Sequence, residues 1–206
     1  MSVLQAVQLA KNYNGTPALS HLDLSVNRGE IFCLLGQNGA GKTTTINLFL
    51  GFLEASAGKA LINGVEVKPN DTATRKMIAY IPEVVQLYGN LSGLENLDFF
   101  SSLASYRYTT AELAGFLSKA GLYEQAQNKR LSTYSKGMRQ KVGIAIALAK
   151  KADVIFMDEP TSGLDPKASA EFTQICKELA AEGKTIFMAT HDIFNAVNVG
   201  TRIGIM

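Results

Sequence analysis

The chain has 206 residues, of which 47% are hydrophobic and 18% are charged, and its formal net charge at pH 7 is +2. This length suits one α/β domain, or one domain with a small lobe, and the charge includes no basic block of the kind that indicates nucleic-acid binding. No apolar run approaches the roughly 20 residues of a membrane span, and Cys33 and Cys176 show no metal-ligand spacing, which favours buried thiols in a reducing cytosol.

Three strands are predicted at the N-terminus. Apolar and polar residues alternate over residues 3–9 and 18–26, on either side of the turn-rich segment 12–17. This alternation predicts a half-exposed antiparallel pair. Residues 31–35 are continuously apolar and end at Gly36, as expected of a strand that is buried on both faces.

A helix and a hairpin are predicted next. The helix covers residues 42–50, and Gly51 is expected to end it. Residues 58–67 predict a β-hairpin that turns at Asn63 and Gly64, because this dipeptide favours the tight turn of two-residue hairpin loops.

The middle of the chain changes to helical periodicity between about residues 92 and 151. Ser92 and Thr109 are predicted N-caps, since each is followed three residues later by a glutamate that can complete a capping box. Strand patterns then return around one further helix. The predicted strands cover residues 154–157, 185–189 and 203–206, and the helix covers residues 167–182.

A phosphate-binding loop is predicted between the buried strand and the first helix. Residues 36–43 match the P-loop pattern GxxxxGK[ST], in which glycines let backbone N–H groups surround phosphate oxygens and a helix N-terminus adds partial positive charge. Lys42 is expected to bridge the terminal phosphates, and Thr43 is expected to ligate Mg²⁺. A glycine-rich turn with a surface lysine is the plainer alternative, which the agreement of motif and flanks disfavours. The nucleotide-binding candidates here are Gly36, Asn38, Gly39, Ala40, Gly41, Lys42, Thr43 and Thr44.

Two adjacent carboxylates follow a second apolar strand. Asp158 and Glu159 come directly after the apolar residues 154–157. In a P-loop protein such a strand delivers an aspartate beside Mg²⁺, and the next carboxylate can reach the attacking water as general base. Taken alone, two carboxylates after an apolar strand could equally mark the place where the strand ends at the protein surface. The P-loop in the same chain favours the catalytic interpretation.

A family resemblance rests on residues 134–140, which read Tyr-Ser-Lys-Gly-Met-Arg-Gln before a predicted helix. The segment resembles the signature, usually written LSGGQ, of ABC transporter ATPases. Residues 131–133 lack the glycine two positions after their serine, so Ser135 is the signature serine and Gly137 the signature glycine. The resemblance implies that both contact the γ-phosphate held by the opposite subunit. Taken alone, Ser135 is more simply an ordinary helix N-cap.

Three further positions match the same family, in its order along the chain. Asp165 lies in a segment similar to the D-loop, and His191 resembles the switch histidine that touches the γ-phosphate. Tyr13 resembles the aromatic residue that stacks on adenine. A single tyrosine or histidine is by itself more often structural than functional.

The sequence also departs from the family pattern. Glu83 stands where the family usually has a glutamine that contacts Mg²⁺ and water and couples hydrolysis to the permease, so we expect Glu83 to be a catalytic and metal-binding residue that adds negative charge. Lys136 and Met138 replace the usual glycine and glutamine of the signature. These forms resemble a simple export subfamily whose ATPase and permease are separate chains. Because family members continue with a hairpin and a helix, we expect the sequence to be shortened after Met206.

The resemblance implies an α/β fold, with a P-loop ATPase core built on a mostly parallel sheet, an N-terminal antiparallel β lobe and a helical insert. We expect one ABC ATPase domain, in which residues 1–84 and 152–206 form the core with the β lobe and residues 85–151 form the helical subdomain. Its expected cofactors are ATP and Mg²⁺.

The implied function is ATP hydrolysis by a dimer, a homodimer on the simplest view, that encloses two ATP molecules and drives an integral membrane permease, with export as the expected direction. This implies a cytoplasmic protein peripheral to the inner face of the cell membrane. The leading alternative is a soluble ABC ATPase acting on ribosomes or DNA, which a single motif set and the lack of sustained heptads disfavour. A nucleotide-gated module without hydrolysis and an unrelated P-loop kinase are further alternatives.

Overall fold

The structure is a computed structural model that describes residues 2–69 and 71–206. The strands are β1 (Ser2–Tyr13), β2 (Thr16–Asn27), β3 (Ile31–Leu35), β4 (Ala57–Ile62), β5 (Val65–Glu66), β6 (Ile78–Ile81), β7 (Val154–Asp158), β8 (Thr185–Thr190) and β9 (Arg202–Ile205). The α-helices are α1 (Lys42–Phe49), α2 (Gly93–Leu103), α3 (Thr110–Lys119), α4 (Glu124–Gln127), α5 (Lys136–Ala149), α6 (Pro166–Ala181) and α7 (Ile193–Val199). Short 3₁₀ turns cover Arg75–Met77 and Leu131–Thr133.

The N-terminal lobe is an antiparallel sheet with the strand order β2-β1-β4-β5. The predicted strand pair and the predicted hairpin are both confirmed. Each turn is an Asn-Gly pair with positive φ at both residues: 47° and 86° at Asn14 and Gly15, and 49° and 78° at Asn63 and Gly64. Such values are those of the type I′ turn, whose twist matches that of the flanking strands.

The second sheet is parallel and has the order β6-β7-β8-β3-β9. The prediction that β3 is buried on both faces is confirmed, since its first four residues, whose side chains alternate between the two faces, are all buried. The strand β6 was not predicted from the sequence, because only four residues form it before Pro82. It lies at the sheet edge opposite β9.

Two hydrophobic cores lie on opposite faces of the parallel sheet, as the α/β fold class requires. Alternate residues of β3 divide between them, because successive side chains of a strand point to opposite faces. Ile31 and Cys33 pack on the face covered by α2, α3, α5 and α6. Phe32 and Leu34 pack on the other face with α1 and the antiparallel lobe. The parallel sheet is therefore packed between helices on one face and α1 with the β lobe on the other. The loops at the ends of its central strands remain available to form a site.

In the segment between β6 and β7, the first two helices begin at the predicted N-caps. Ser92 and Thr109 are both N-caps of complete capping boxes, with Glu95 and Glu112 as the reciprocal partners. The helix α7 was not predicted, because it has only seven residues and its exposed face carries Phe194, which hides the apolar periodicity. Among residues 2–69 and 71–206, no helix combines the length and the apolar character needed to span a bilayer.

The two cysteines are buried and unbonded, as the sequence predicted. Burial raises the pKa of the Cys33 thiol to about 12, and it raises the pKa of the Cys176 thiol further. Both thiols are therefore protonated, and inert as nucleophiles, at neutral pH.

Candidate active site

The P-loop connects the C-terminal end of β3 to the first turn of α1. Its backbone needs glycine at two positions, since Gly39 has a φ of 85° and Gly41 a φ of 103°. At Gly41 a β-carbon would also lie 2.4 Å from the carbonyl oxygen of Ala18. The loop is thus held against β2, and α1 begins at Lys42 directly behind it. A helix N-terminus in this position offers free N–H groups and partial positive charge to an anion.

The ammonium of Lys42 lies beneath this loop and is only 6% exposed. It donates hydrogen bonds to the carbonyl oxygens of Gly36 at 2.7 Å and Gln37 at 3.1 Å. It also lies 3.6 Å from Glu159 Oε1. The lysine is therefore held at the loop with its charge directed into the candidate site.

Thr43 and Asp158 meet at the centre of the site. The Thr43 hydroxyl donates a 2.8 Å hydrogen bond to Asp158 Oδ2. Burial raises the pKa of the Asp158 carboxyl, while the hydrogen bond from Thr43 acts to lower it. Hydroxyl and carboxylate oxygens are the ligands that Mg²⁺ prefers, and this ion typically uses one or two carboxylates together with substrate phosphates. The pair fits Mg²⁺, and the described part of the chain holds no cluster of three His, Cys, Asp or Glu side chains suited to another metal.

Glu159 occupies a strained position at the end of β7. Its φ is 45°, an uncommon value for a residue with a side chain, and its N–H donates to Ala189 O at 2.9 Å. One carboxylate oxygen, Oε2, accepts from the Thr190 hydroxyl at 3.2 Å and from the His191 N–H at 3.3 Å. The backbone conformation thus turns this carboxylate toward the end of β8.

The other oxygen of Glu159 faces the two basic side chains of the site. Oε1 is buried and accepts no hydrogen bond from the described residues, but it lies 2.9 Å from His191 Nδ1 and 3.6 Å from Lys42 Nζ. Groups that can carry positive charge therefore hold this oxygen in the site. Glu159 also lines a polar cleft of about 520 Å³, together with Thr161, Ser162, Thr190, His191 and Asn195, among others.

His191 follows β8 and remains 53% exposed. The next residue, Asp192, caps α7 by accepting from the N–H groups of Phe194 and Asn195, which fixes the turn that carries the histidine. His191 is therefore positioned beside Glu159 and open to solvent on its other side.

The predicted signature residues lie at the start of α5, apart from this cluster. Ser135 caps the helix, with its hydroxyl accepting from the Met138 N–H at 3.3 Å, so the ordinary N-cap interpretation describes a real contact. Gly137 faces Leu164 and Ala168, where an added β-carbon would make ordinary contacts of 3.6 and 3.5 Å. Within the described residues, no hydrogen bond or ion pair joins Ser135 to Lys42.

Glu83 and Asp165 make contacts of their own. Glu83 Oε1 accepts from the Ser162 hydroxyl at 2.9 Å and lies 3.7 Å from Lys136 Nζ. Asp165 is the N-cap of α6 and accepts from the Ala168 N–H at 2.9 Å. Neither carboxylate bonds directly to the cluster around Asp158.

Tyr13 lies at the end of β1 and is 44% exposed, with Lys11 Nζ 5.3 Å from its ring centre. It pairs with Thr16 across the hairpin, and Ala18, two residues further, touches the P-loop at Gly41. The ring therefore lies on the hairpin that flanks the phosphate loop. The remaining candidates are exposed or half-buried around the loop and the first turn of α1, namely Asn38, Ala40 and Thr44.

Sequence reasoning missed two side chains that position this site. Thr190 holds the carboxylate of Glu159, and its place next to His191 was the available signal. Gln140 is completely buried and donates to the carbonyl oxygens of Pro82 and Glu83, at 3.4 and 3.1 Å. A polar residue on the inward face of a predicted helix could have revealed this second contact.

Comparisons with known proteins agree with this geometry. A family model described as "ABC transporter" matches residues 19–162. The probable multidrug ABC transporter ATP-binding protein YbhF of Escherichia coli is 34% identical over 92% of the chain. A fluoroquinolones export ATP-binding protein of Mycobacterium tuberculosis is 38% identical over 91%, and the daunorubicin/doxorubicin resistance ATP-binding protein DrrA of Streptomyces peucetius is 34% identical over 96%. The chain spans 33%, 61% and 60% of these relatives' own lengths, respectively.

Solved structures show the same fold. An ATP binding subunit of an ABC transporter is similar over 100% of this chain and 86% of its own, with a TM-score of 0.84 and 32% identity. An ATP-binding cassette described as dimeric, in a post-hydrolysis state bound to ADP and Pi, is similar over 98% of this chain and 94% of its own. Its TM-score is 0.85 and its identity is 27%.

Proposed function

Because the chain belongs to the ABC transporter family, as an ATP-binding domain, we propose that it hydrolyses ATP with Mg²⁺ in a dimer and thereby drives a separate membrane permease. The observation that carries the proposal is the contact of two sequence motifs. Thr43 bonds to Asp158, and Lys42 lies 3.6 Å from Glu159. One site thus combines a phosphate-binding loop, oxygen ligands for a cation and a carboxylate beside an open cleft.

The site residues divide the chemistry between them. Lys42 and the N–H groups at the start of α1 bind the phosphates and balance their charge. Thr43 and Asp158 would hold Mg²⁺, which when bound neutralises charge on the β- and γ-phosphates. Glu159 takes a proton from the attacking water, and Thr190 and the backbone of His191 hold its other oxygen in place. The His191 side chain faces the γ-phosphate.

The second half of the proposed site comes from another copy of the chain. Ser135 is exposed at the start of a helix, where a hydroxyl and free N–H groups favour an anion. Among the described residues no hydrogen bond or ion pair joins it to the phosphate-binding cluster of its own chain, and the γ-phosphate bound by a partner is its proposed ligand. Gly137 belongs to the same helix start, and Asp165 holds the loop that follows Glu159. The dimeric state of the ADP-bound cassette supports this arrangement. Tyr13 stacks on adenine at the rim.

Coupling to the permease passes through the helical segment. We divide the domain into a core with the β lobe, residues 1–84 and 152–206, and a helical subdomain, residues 85–151. Gln140 of α5 binds the backbone at Glu83, so a shift of this helix moves the segment beside the metal site. Glu83 lies in that segment and would supply a further oxygen ligand for Mg²⁺. Export is the proposed direction because several relatives carry names of export or resistance proteins. The proposed location of the domain is the cytoplasmic face of the membrane.

The test is release of phosphate from ATP by the purified protein, with and without Mg²⁺. The control variant is Lys177→Gln, which removes an exposed lysine of α6 that forms no ion pair in the described structure. Mg²⁺-dependent hydrolysis by both proteins supports the proposal. A folded wild-type chain that binds ATP without hydrolysing it, even with its permease, would contradict it.

A further inference from the structure

Glu83 and Lys136, two charged residues at which the sequence departs from the family pattern, face each other in the fold. Lys136 Nζ lies 3.7 Å from Glu83 Oε1. The Ser162 hydroxyl donates a 2.9 Å hydrogen bond to the same oxygen. One carboxylate oxygen therefore receives contacts from two other segments of the chain.

The three contacting segments are distant in sequence. Glu83 follows β6, Lys136 opens α5 immediately after its N-cap, and Ser162 lies in the loop between β7 and α6. The ammonium also lies against that loop, since a β-carbon built on Gly163 would be 3.8 Å from Lys136 Nζ. The lysine thus reaches both the segment after β6 and the loop after β7.

The backbone of the segment after β6 is fixed independently of this pair. The buried amide of Gln140 donates to the carbonyl oxygens of Pro82 and Glu83. The helix α5 therefore holds the main chain at this point. What Lys136 and Ser162 add is control of where the Glu83 carboxylate points.

The Glu83 carboxylate changes the charge of this part of the fold. Glu83 stands where the resembling family usually has a neutral glutamine, so it adds one negative charge to the segment after β6. A lysine at position 136 supplies the opposite charge at the same carboxylate.

We propose that Lys136 and Ser162 position the Glu83 side chain, and that the Glu83–Lys136 charge pair links the start of α5 to the segment after β6 and the loop after β7. Lys136 is a positioning residue that acts through Glu83, and its charge balances the charge that Glu83 introduces. The inference rests on the proposed function, because its consequence is measured on ATP turnover. It also explains why the two departures occur in one chain.

A double-mutant cycle tests the pair. The proteins are the wild type, Glu83→Gln, Lys136→Gln and the double variant, assayed for turnover at saturating ATP. Lys136→Gln should lower turnover by at least about twofold when Glu83 is present, and by no more than about fivefold, which is the upper limit for an exposed charge pair. The same change should have less than about a 1.5-fold effect in the Glu83→Gln background, and about 0.5 M salt should shrink the difference by screening. Lys136→Arg should retain turnover, and Lys177→Gln is the matched charge control.

An equal loss from Lys136→Gln in both backgrounds would overturn the inference while leaving the proposed function intact. If the wild type shows no turnover at all, the proposed function fails, and the pair is judged instead from urea unfolding of the same four proteins. Midpoints that are non-additive then support the link, and additive midpoints overturn it.

Discussion

The side chains of Thr43 and Asp158 share a hydrogen bond of 2.8 Å although 115 positions separate them in the sequence. The parallel order β7-β8-β3 explains this contact, because the C-terminal ends of β3 and β7 lie on the same side of the sheet. Ligands of open α/β sheets bind at the C-terminal ends of the strands. The bond joins the phosphate-binding motif to the carboxylate motif and makes the two one site.

The first prediction concerns Asp158→Asn. The amide oxygen can still accept from Thr43, but the charge that attracts Mg²⁺ is lost, so Mg²⁺ activation of turnover should weaken about 10- to 100-fold. Burial raises the pKa of Asp158, which means that the charged form is disfavoured in the folded protein. The variant should therefore unfold at a higher temperature than the wild type. Mg²⁺ titrations of turnover and thermal unfolding without nucleotide measure the two effects, and unchanged Mg²⁺ dependence would exclude Asp158 from the metal site.

Lys42→Ala should abolish hydrolysis and strongly weaken ATP binding. Lys42 is the cation that bonds to the P-loop carbonyls of Gly36 and Gln37, so its removal takes positive charge from the place where phosphates would lie. Equilibrium binding of a fluorescent ATP analogue and phosphate release measure the two losses, with Lys177→Gln as control. Near-normal hydrolysis by folded Lys42→Ala protein would refute the site assignment.

The third prediction tests whether Ser135 acts on the partner's nucleotide. Ser135→Arg should leave ATP binding to the monomer largely intact and block turnover, because the exposed helix start can no longer approach the other subunit. Mixing it with Lys42→Ala protein should restore part of the activity, since a mixed dimer keeps one intact composite site. Ser135→Thr, which can retain the N-cap, is the matched control. Normal turnover of Ser135→Arg would leave only the helix cap as the role of this serine.

The sequence was sufficient to predict the local structure of those candidate-site segments that are contiguous along the chain. The P-loop and the pair Asp158–Glu159 each combine a strand, a turn and their functional residues within a few positions, so residue type and order predict them. The capping boxes at Ser92 and Thr109 are local for the same reason. These features depend on hydrogen bonds between residues that are close in sequence, so the local sequence is enough to predict them.

Tertiary contacts could not be predicted in the same way. Glu83, Lys136 and Ser162 belong to three separate segments, and the packing of α5 against both the segment after β6 and the loop after β7 brings them together. The positive φ of Glu159 is likewise imposed by its surroundings, since nothing in an Asp-Glu-Pro sequence requires it. The short elements β6 and α7 lack the length over which periodicity can be recognised.

Glu159→Gln tests the proposed mechanism as a whole. The amide oxygen can keep the hydrogen bonds that Oε2 accepts from Thr190 and from the His191 backbone, so the fold and ATP binding should survive. The change removes the basic oxygen Oε1, which lies 3.6 Å from Lys42 Nζ and 2.9 Å from His191 Nδ1, from a side chain that lines the cleft. Loss of a general base typically lowers a rate about 10²- to 10⁴-fold. We therefore expect turnover to fall by that factor while ATP binding remains measurable.

The measurement for Glu159→Gln is kinetic, with ATP binding as its companion. Slow hydrolysis should let the ATP-bound dimer accumulate, and removal of one negative charge beside the γ-phosphate should stabilise that dimer further, so size-exclusion profiles with ATP and with ADP should differ. Glu124→Gln is the control amide substitution, because this exposed carboxylate at the start of α4 forms no ion pair within the described structure. If Glu159→Gln retains more than about a tenth of wild-type turnover, well above the range for loss of a general base, another group activates the water.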